Sequence, residues 1–271
     1  MGVGRTVEIS EAGGVMEYIC SLSYGKDSIV IPELCKRHGL PLDRIVHVEI
    51  MATSTIHSDL PPMLEFKAKA DKIIKERYGI EVEHIHAPVS YEEQFYSKFE
   101  KGKRKGDIYG FPMAKGAWCN SRLKLSVLNQ FNKQEFVQYL GICADEPERI
   151  KRINGNKKSP AVEFGYTEQD CWEIAEELDL LSPTYKDSFR GGCWFCHNQS
   201  VDQLRKLRKN YPEYWKLLLK WDKDSPVIFK TDGRTVHDFD RRFQLEDEGF
   251  ITADMPFRWS MLENPYIQLE F

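Results

Sequence analysis

No stretch of this 271-residue chain is apolar for long enough to span a membrane, and nothing in it reads as a repeat or a low-complexity linker. Those absences argue against an integral membrane helix and a solenoid. A strong charge of either sign is also missing. The 38 Lys and Arg against 42 Asp and Glu leave a net charge of −4, too little to draw a polyanion by its overall field. No secretory leader is read ahead of residue 17, and the seven cysteines are an odd number. Both suit a cytoplasmic protein whose thiols serve packing, metal or catalysis rather than disulfides. After Cys196 there is no cysteine at all.

What is present begins at Glu17. The apolar run Tyr18-Ile19-Cys20 breaks at Ser23-Tyr24-Gly25-Lys26-Asp27-Ser28 and gives way to a helical pattern. A strand, a Gly turn with Lys and hydroxyls, and a helix start form a phosphate cradle, because the turn's N–H groups point at the anion. Lys26 adds a compact positive charge, and Ser23 and Ser28 add hydroxyl donors. Walker A spacing is not met: it needs Gly where Cys20 stands, and Ser or Thr where Asp27 stands.

Strands are expected near 17–22, 44–50, 80–86 and 136–142, with helices near 26–38, 61–78 and 119–131. Pro61 and Pro62 suit a helix first turn, and Lys67, Lys69, Lys72 and Lys75 read as that helix's solvated side. The alternation predicts a Rossmann-like, doubly wound parallel sheet with its ligand beyond the strand C-termini. From residue 166 the texture turns helical, so a nucleotide-binding domain is expected over 1–165 and a smaller helical region with a cysteine metal site over 166–271. Within the latter, Thr167 to Asp170 reads as a capping box, and helices are expected at 200–208 and 211–221.

Arg190-Gly191-Gly192-Cys193-Trp194-Phe195-Cys196-His197 holds the second motif. A Cys-x-x-Cys in a Gly turn lets two thiolates converge on one metal or cluster, but it is half a site. Cys20, Cys35 and Cys171 fall on apolar faces and read as core residues. Cys119 differs: it opens a helix after a polar basic loop. Cys143 follows the fourth strand, at the end where ligands collect, and reads equally as that strand's last core residue.

Taken together, these segments resemble the phosphoadenosine phosphosulfate (PAPS) reductase-like family of the adenine nucleotide α-hydrolase (PP-loop) superfamily. Ser23 to Ser28 is similar to its Ser-Gly-Gly-Lys-Asp-Ser loop, with Tyr24 at the first Gly, a change that puts a ring beside the phosphates. Trp118-Cys119-Asn120-Ser121-Arg122-Leu123-Lys124 resembles the Cys-Cys-x-x-Arg-Lys segment, with Trp118 at the first Cys. Gly141 to Arg149 resembles the strand-to-loop segment with a substrate-facing Arg, and Cys193 to Cys196 the later Cys-x-x-Cys. The resemblance runs in order over residues 17–200. It implies ATP or a PAPS-like adenine nucleotide at Ser23 to Ser28, with Mg2+ as an accompanying ion. It also implies catalytic charges at Lys26, Arg122, Lys124 and Arg149, and a 4Fe-4S cluster at Cys119, Cys193 and Cys196. Three thiolates leave one iron open for sulfide, as among the tRNA-thiolating relatives of the superfamily. A structural zinc completed by His197 or Cys143 is the alternative. The family's reductive Cys near the C-terminus has no counterpart here, since the chain ends Met261 to Phe271 without one.

The expected function is therefore adenylyl transfer, with α–β cleavage and pyrophosphate release, coupled to sulfur transfer on an acceptor the sequence does not name. Sulfonucleotide reduction by an external thiol is the second enzymatic reading, and a nucleotide-sensing or nucleic-acid-binding module with structural zinc the third. Partners would be the nucleotide, and a nucleic acid or a sulfur-donor protein, with no membrane. The basic runs Lys101 to Lys105 and Arg205 to Lys209 favour nucleic acid slightly, with solvated loops and faces as the default. His84 and His86 read as a strand's polar face, and Tyr211, Tyr214, Trp215 and Trp221 as core aromatics.

Overall fold

The computed structural model of the protein describes residues 16–113, 117–129, 135–187, 192–255 and 259–262. Arg190, Gly191, the end of the helix expected to reach 131, and the tail from Glu263 lie outside the described residues. The first elements are β1 (Glu17–Leu22), α1 (Lys26–Ile29), α2 (Ile31–His38), β2 (Arg44–Glu49), α3 (Pro61–Tyr78), β3 (Val82–His86) and α4 (Tyr91–Tyr96). A helical run follows, made of α5 (Trp118–Asn120), a π-helical turn (Ser121–Leu125) and α6 (Ser126–Leu128). Next come β4 (Phe136–Tyr139), α7 (Pro147–Ile150), β5 (Lys157–Lys158), α8 (Pro160–Glu163), α9 (Glu168–Glu177) and α10 (Thr184–Asp187). The last helices are α11 (Val201–Asn210), α12 (Pro212–Asp224) and α13 (Val236–Asp247).

The strands make one five-stranded sheet in the order β3-β2-β1-β4-β5, with every neighbouring pair parallel. The protein is thus α/β, as the strand–helix alternation requires. From β1 the chain winds outward through β2 and β3, then returns to the other side of β1 for β4 and β5. That reversal opens a crevice beyond the C-terminal ends of β1 and β4, where ligands of open α/β sheets bind.

Two compact units form, and both are discontinuous in sequence. The first combines residues up to Ser90 with Asn120–Cys193, the second Tyr91–Cys119 with the chain from Trp194. The division expected at 165/166 falls inside the first unit. The reason is the apolar face of α9: Cys171, Ile174 and Ala175 are buried in the same cluster as Cys20 and Leu22 of β1, Leu34 of α2, and Phe66 and Ala70 of α3. Buried Glu33 ties α2 to α3, accepting from Arg77 and Tyr78 as well as from Arg37 one turn on.

Helix ends follow their local chemistry. Pro61 and Pro62 open α3, and left-handed Gly39 and Gly79 close α2 and α3. Capping boxes at Thr167, Ser200 and Thr235 open α9, α11 and α13. One lysine of α3 departs from expectation. Lys67 is buried, not solvated, and its ammonium donates to Asp59 Oδ2 at 2.6 Å and His47 Nε2 at 2.8 Å. Polar partners on the loop after β2 and on β2 itself make that burial tolerable.

In the second unit, Tyr91, Phe95, Phe111, Trp118, Trp194, Phe195 and Trp221 are all buried, and the Tyr91 ring lies within stacking reach of Phe95, Trp118, Phe195 and Trp221. The core role expected of Trp215 and Trp221 is met. Ion pairs from Arg205 to Glu246 and Arg208 to Asp240 tie α11 to α13. Among the described residues no helix is long and apolar enough to cross a membrane.

Candidate functional site

The loop after β1 is held first by its own hydroxyls. Ser28 Oγ accepts from the Ser23 N–H at 3.0 Å, donates to Gly25 O at 3.1 Å and lies 2.8 Å from Ser23 Oγ. Ser28 is buried, so its hydroxyl shapes the loop from within. Gly25 sits at φ −77, open to any residue, and a Cβ there would meet Ser23 Oγ and the Tyr185 hydroxyl at 3.6 Å, an ordinary contact. The left-handed position of the loop is Tyr24, at φ 57. The Tyr185 hydroxyl of α10 accepts from the Lys26 N–H at 2.9 Å and braces the start of α1.

Gly141, just beyond β4, lets the second wall of the crevice close in. A Cβ there would stand 2.5 Å from both Cα and N of Ser28 and 2.7 Å from the Asp27 carbonyl carbon, a clash with rigid backbone. The bare glycine brings the segment Gly141 to Arg149 against the Ser23 to Ser28 loop. Arg149 Nη2 donates to Gly141 O at 2.9 Å, and Nη1 donates to both Glu146 oxygens at 2.6 and 2.8 Å. Its guanidinium also reaches to within 3.8 Å of the Asp27 carboxylate.

Lys26 meets this group from the other side, paired with Asp27 and, at 3.4 Å, with Glu168 at the start of α9. Burial works against the ammonium, but the hydrogen bond to Asp27 and the two carboxylates hold its pKa above the ordinary lysine value. Asp27, Glu146 and Glu168 each offer an oxygen, all within 4.8 Å of one another. Asp27 also faces Cys143 and Cys171, whose ligand atoms meet the same spacing. The Cys143 thiol donates to Cys171 Sγ at 3.5 Å, and that bond, burial and the neighbouring Asp27 push its pKa far up. The crevice thus holds two cations and three carboxylates, with the buried Cys143–Cys171 pair behind them.

Of the sequence candidates, Lys26, Asp27 and Arg149 converge. Arg122 and Lys124 are exposed on the π-helical turn. Leu125 and Leu128 of the same run instead line a cavity of 270 Å3 with Ile19, Val46 and Phe136. Tyr24 does not place its ring beside the loop's mouth. The ring is 1% exposed and turned inward, its hydroxyl donating to Asp71. Glu146, Glu168 and Tyr185 were missed. The segment Asp145-Glu146-Pro147-Glu148 and the capping-box Glu168 carried the acidic signal, but only the fold puts them beside Lys26.

The cysteine segments are anchored by their aromatic neighbours. Trp118 Nε1 donates to Gly110 O at 3.2 Å, and the Trp118 ring stacks on Tyr91 at 4.9 Å between centroids. Phe195 packs on the same Tyr91 ring at 4.1 Å, and Trp194 stacks between Tyr214 and Trp221. With Trp194 and Phe195 buried, Cys193 and Cys196 are left half-buried, as is Cys119. The Lys230 ammonium donates to the carbonyls of His197 and Gln199 and fixes the exit of the turn. Cys143, a candidate with His197 for completing a metal site and equally a candidate core residue, is buried with its thiol on Cys171.

No family model matches the chain. It is 29% identical over 102 residues to the uncharacterized nin region protein ORF290 of Escherichia phage lambda, covering 35% of this chain and 34% of that protein. Over 175 residues it is 23% identical to the uncharacterized protein MJ0066 of Methanocaldococcus jannaschii, covering 59% of this chain and 33% of that protein. The chain therefore spans about a third of the length of the curated relatives it matches. Among solved structures it is similar to the U34-tRNA thiolase NcsA from Methanococcus maripaludis with its 4Fe-4S cluster. That likeness covers 79% of this chain and 75% of the other at 16% identity and a TM-score of 0.39.

Proposed function

We propose that the protein is a PP-loop enzyme of the PAPS reductase-like group that binds ATP or a sulfonucleotide in the crevice beyond β1 and β4, and transfers an adenylyl group as part of sulfur transfer. The observation that carries this reading is the meeting of Lys26, Asp27 and Arg149 across Gly141 at the switch point of the sheet. Lys26 and Arg149 neutralise charge on the phosphates, and Asp27, Glu146 and Glu168 form the oxygen-donor set that Mg2+ takes together with nucleotide phosphates. Attack of an acceptor oxygen on the α-phosphorus forms the adenylate as the α–β bridge breaks. Pyrophosphate leaves carrying the charge that the two cations meet. Arg122 and Lys124, exposed on their turn, are assigned to charge on the incoming acceptor, for which a nucleic acid is the fitting class.

Cys119, Cys193 and Cys196 are assigned to a 4Fe-4S cluster. Three half-buried thiols, a soft donor set, support this reading. When bound, the cluster supplies an iron with an open position for sulfide. Anaerobic purification followed by iron and acid-labile sulfide analysis tests the assignment, and zinc in their place would replace it with the structural-metal reading. Pyrophosphate release from ATP in the presence of candidate acceptors tests the transfer. Fast thioredoxin-dependent sulfite release from PAPS would instead establish the reductase.

A further inference from the structure

Among the described residues of the phosphate loop, Tyr24 alone has a positive φ, a conformation disfavoured for any residue with a Cβ. Something must hold it there, and the side chain shows what does. The buried phenol donates to Asp71 Oδ1 on α3. The second Asp71 oxygen accepts from His84 Nε2 on β3 at 2.9 Å, and His84 Nδ1 donates to Glu49 on β2 at 2.9 Å. The Lys67 ammonium lies 5.3 Å from the centre of the Tyr24 ring, and the His47 ring meets its edge at 4.7 Å. The loop is therefore tied to α3 and, through Asp71 and His84, to β3 and β2, outside its own Ser23–Ser28 bonds.

We propose that Tyr24, Asp71 and His84 form a latch that fixes the phosphate loop in its ligand-ready conformation, so that the three are positioning residues for the nucleotide. The inference rests on the nucleotide reading above. Phosphate would be bound by loop N–H groups, and the direction of the one at position 25 is set by the left-handed residue before it, Tyr24. A glycine at position 24 reaches that conformation freely but also leaves it freely. A tyrosine gripped by a carboxylate stays, and a pre-organised site binds more tightly. The latch is built of charges. Asp71 and Glu49 hold His84 as an imidazolium, pushed up to about 9, while His84 draws Glu49 down to about 2. His47 faces the group as a neutral ring, lowered to about 4 by burial and by Lys67. His84 then loses its proton, and the latch its bridge, as pH rises through about 9.

The test is ATP-binding calorimetry with thermal denaturation on wild type, Lys26→Ala, Tyr24→Phe, Tyr24→Gly and His84→Gln. Tyr24→Phe keeps the ring and the disfavoured backbone but loses the bond to Asp71, and is expected to bind ATP about tenfold more weakly. Tyr24→Gly is expected to be the least stable variant, yet to bind better than Tyr24→Phe, because glycine relaxes at φ 57. A role in stability alone would give the opposite order. His84→Gln is expected to abolish the fall of affinity near pH 9. Should Tyr24→Phe not fold, Asp71→Ala carries the same expectation. ATP affinity unchanged in Tyr24→Phe, or lost in strict proportion to stability across the variants, overturns the latch. Affinity unchanged in folded Lys26→Ala overturns the nucleotide reading itself.

Discussion

At the scale of single residues, the crevice depends on one missing side chain and one pair of charges. Gly141→Ala would place a Cβ 2.5 Å from the Ser28 backbone, and the two segments must then part. We expect a loss of about 1–3 kcal/mol from this overpacking, measured by chemical denaturation, together with weakened nucleotide binding. Unchanged stability would show that the walls are not in contact there. Lys26→Ala should leave folding intact and weaken ATP binding roughly ten- to hundredfold, the worth of a charge-assisted contact of about 1.5–3 kcal/mol. The thiols divide in the same way. Cys20, Cys35, Cys143 and Cys171 are buried, with burial, or for Cys143 its bond to Cys171, pushing the pKa of Cys20, Cys35 and Cys143 up, whereas Cys119, Cys193 and Cys196 are half-buried. Mass spectrometry after brief iodoacetamide treatment of metal-stripped native protein should find label on the last three first. Early label on Cys143 would contradict its protonated, enclosed setting.

At the scale of elements, the apolar runs made β1 and β2 legible, since a buried parallel strand is written as consecutive Val, Ile and aromatic residues. The capping box at Thr167 was legible because it lies within four residues. β5 was not: it is Lys157-Lys158, two residues that become a strand only because β4 offers an edge. Nor was Lys67, whose neighbours Asp59 and His47 come from another stretch of chain. Glu33 shows the same effect between α2 and α3. The Arg77, Arg37 and Tyr78 hydrogen bonds hold its pKa down to about 2 against burial. A carboxylate lowered in this way stabilises the fold above its ordinary pKa, and the contribution is lost as pH falls from about 4.5 through about 2. Glu33→Gln should therefore cost about 1–3 kcal/mol at neutral pH and flatten the acid limb of the stability curve. An unaltered limb would assign acid unfolding to other groups.

At the scale of the whole molecule, the two units interleave along the chain, and a cut at the compositional boundary divides the wrong set of contacts. A fragment of residues 166–271 would expose Cys171, Ile174 and Ala175 of α9 and would lack Tyr91, on whose ring Phe195 and Trp221 pack. We expect it to show helix by far-ultraviolet circular dichroism without a cooperative thermal transition. A sharp transition in that fragment would show that the helical region folds without residues 91–119.

What the sequence determined by itself was local or periodic: the parallel α/β sheet, the Ser23 to Ser28 loop, the caps, and which cysteines sit on apolar faces. Each follows from a few neighbouring residues and the period of the element that holds them. Tertiary structure decided the rest. It brought Arg149 and Glu168 to Lys26 through the close approach at Gly141, turned Tyr24 away from the crevice to Asp71, and joined residues 91–119 to the C-terminal helices. Those outcomes hinge on which distant side chains meet in the packed molecule, and spacing along the chain carries no record of that.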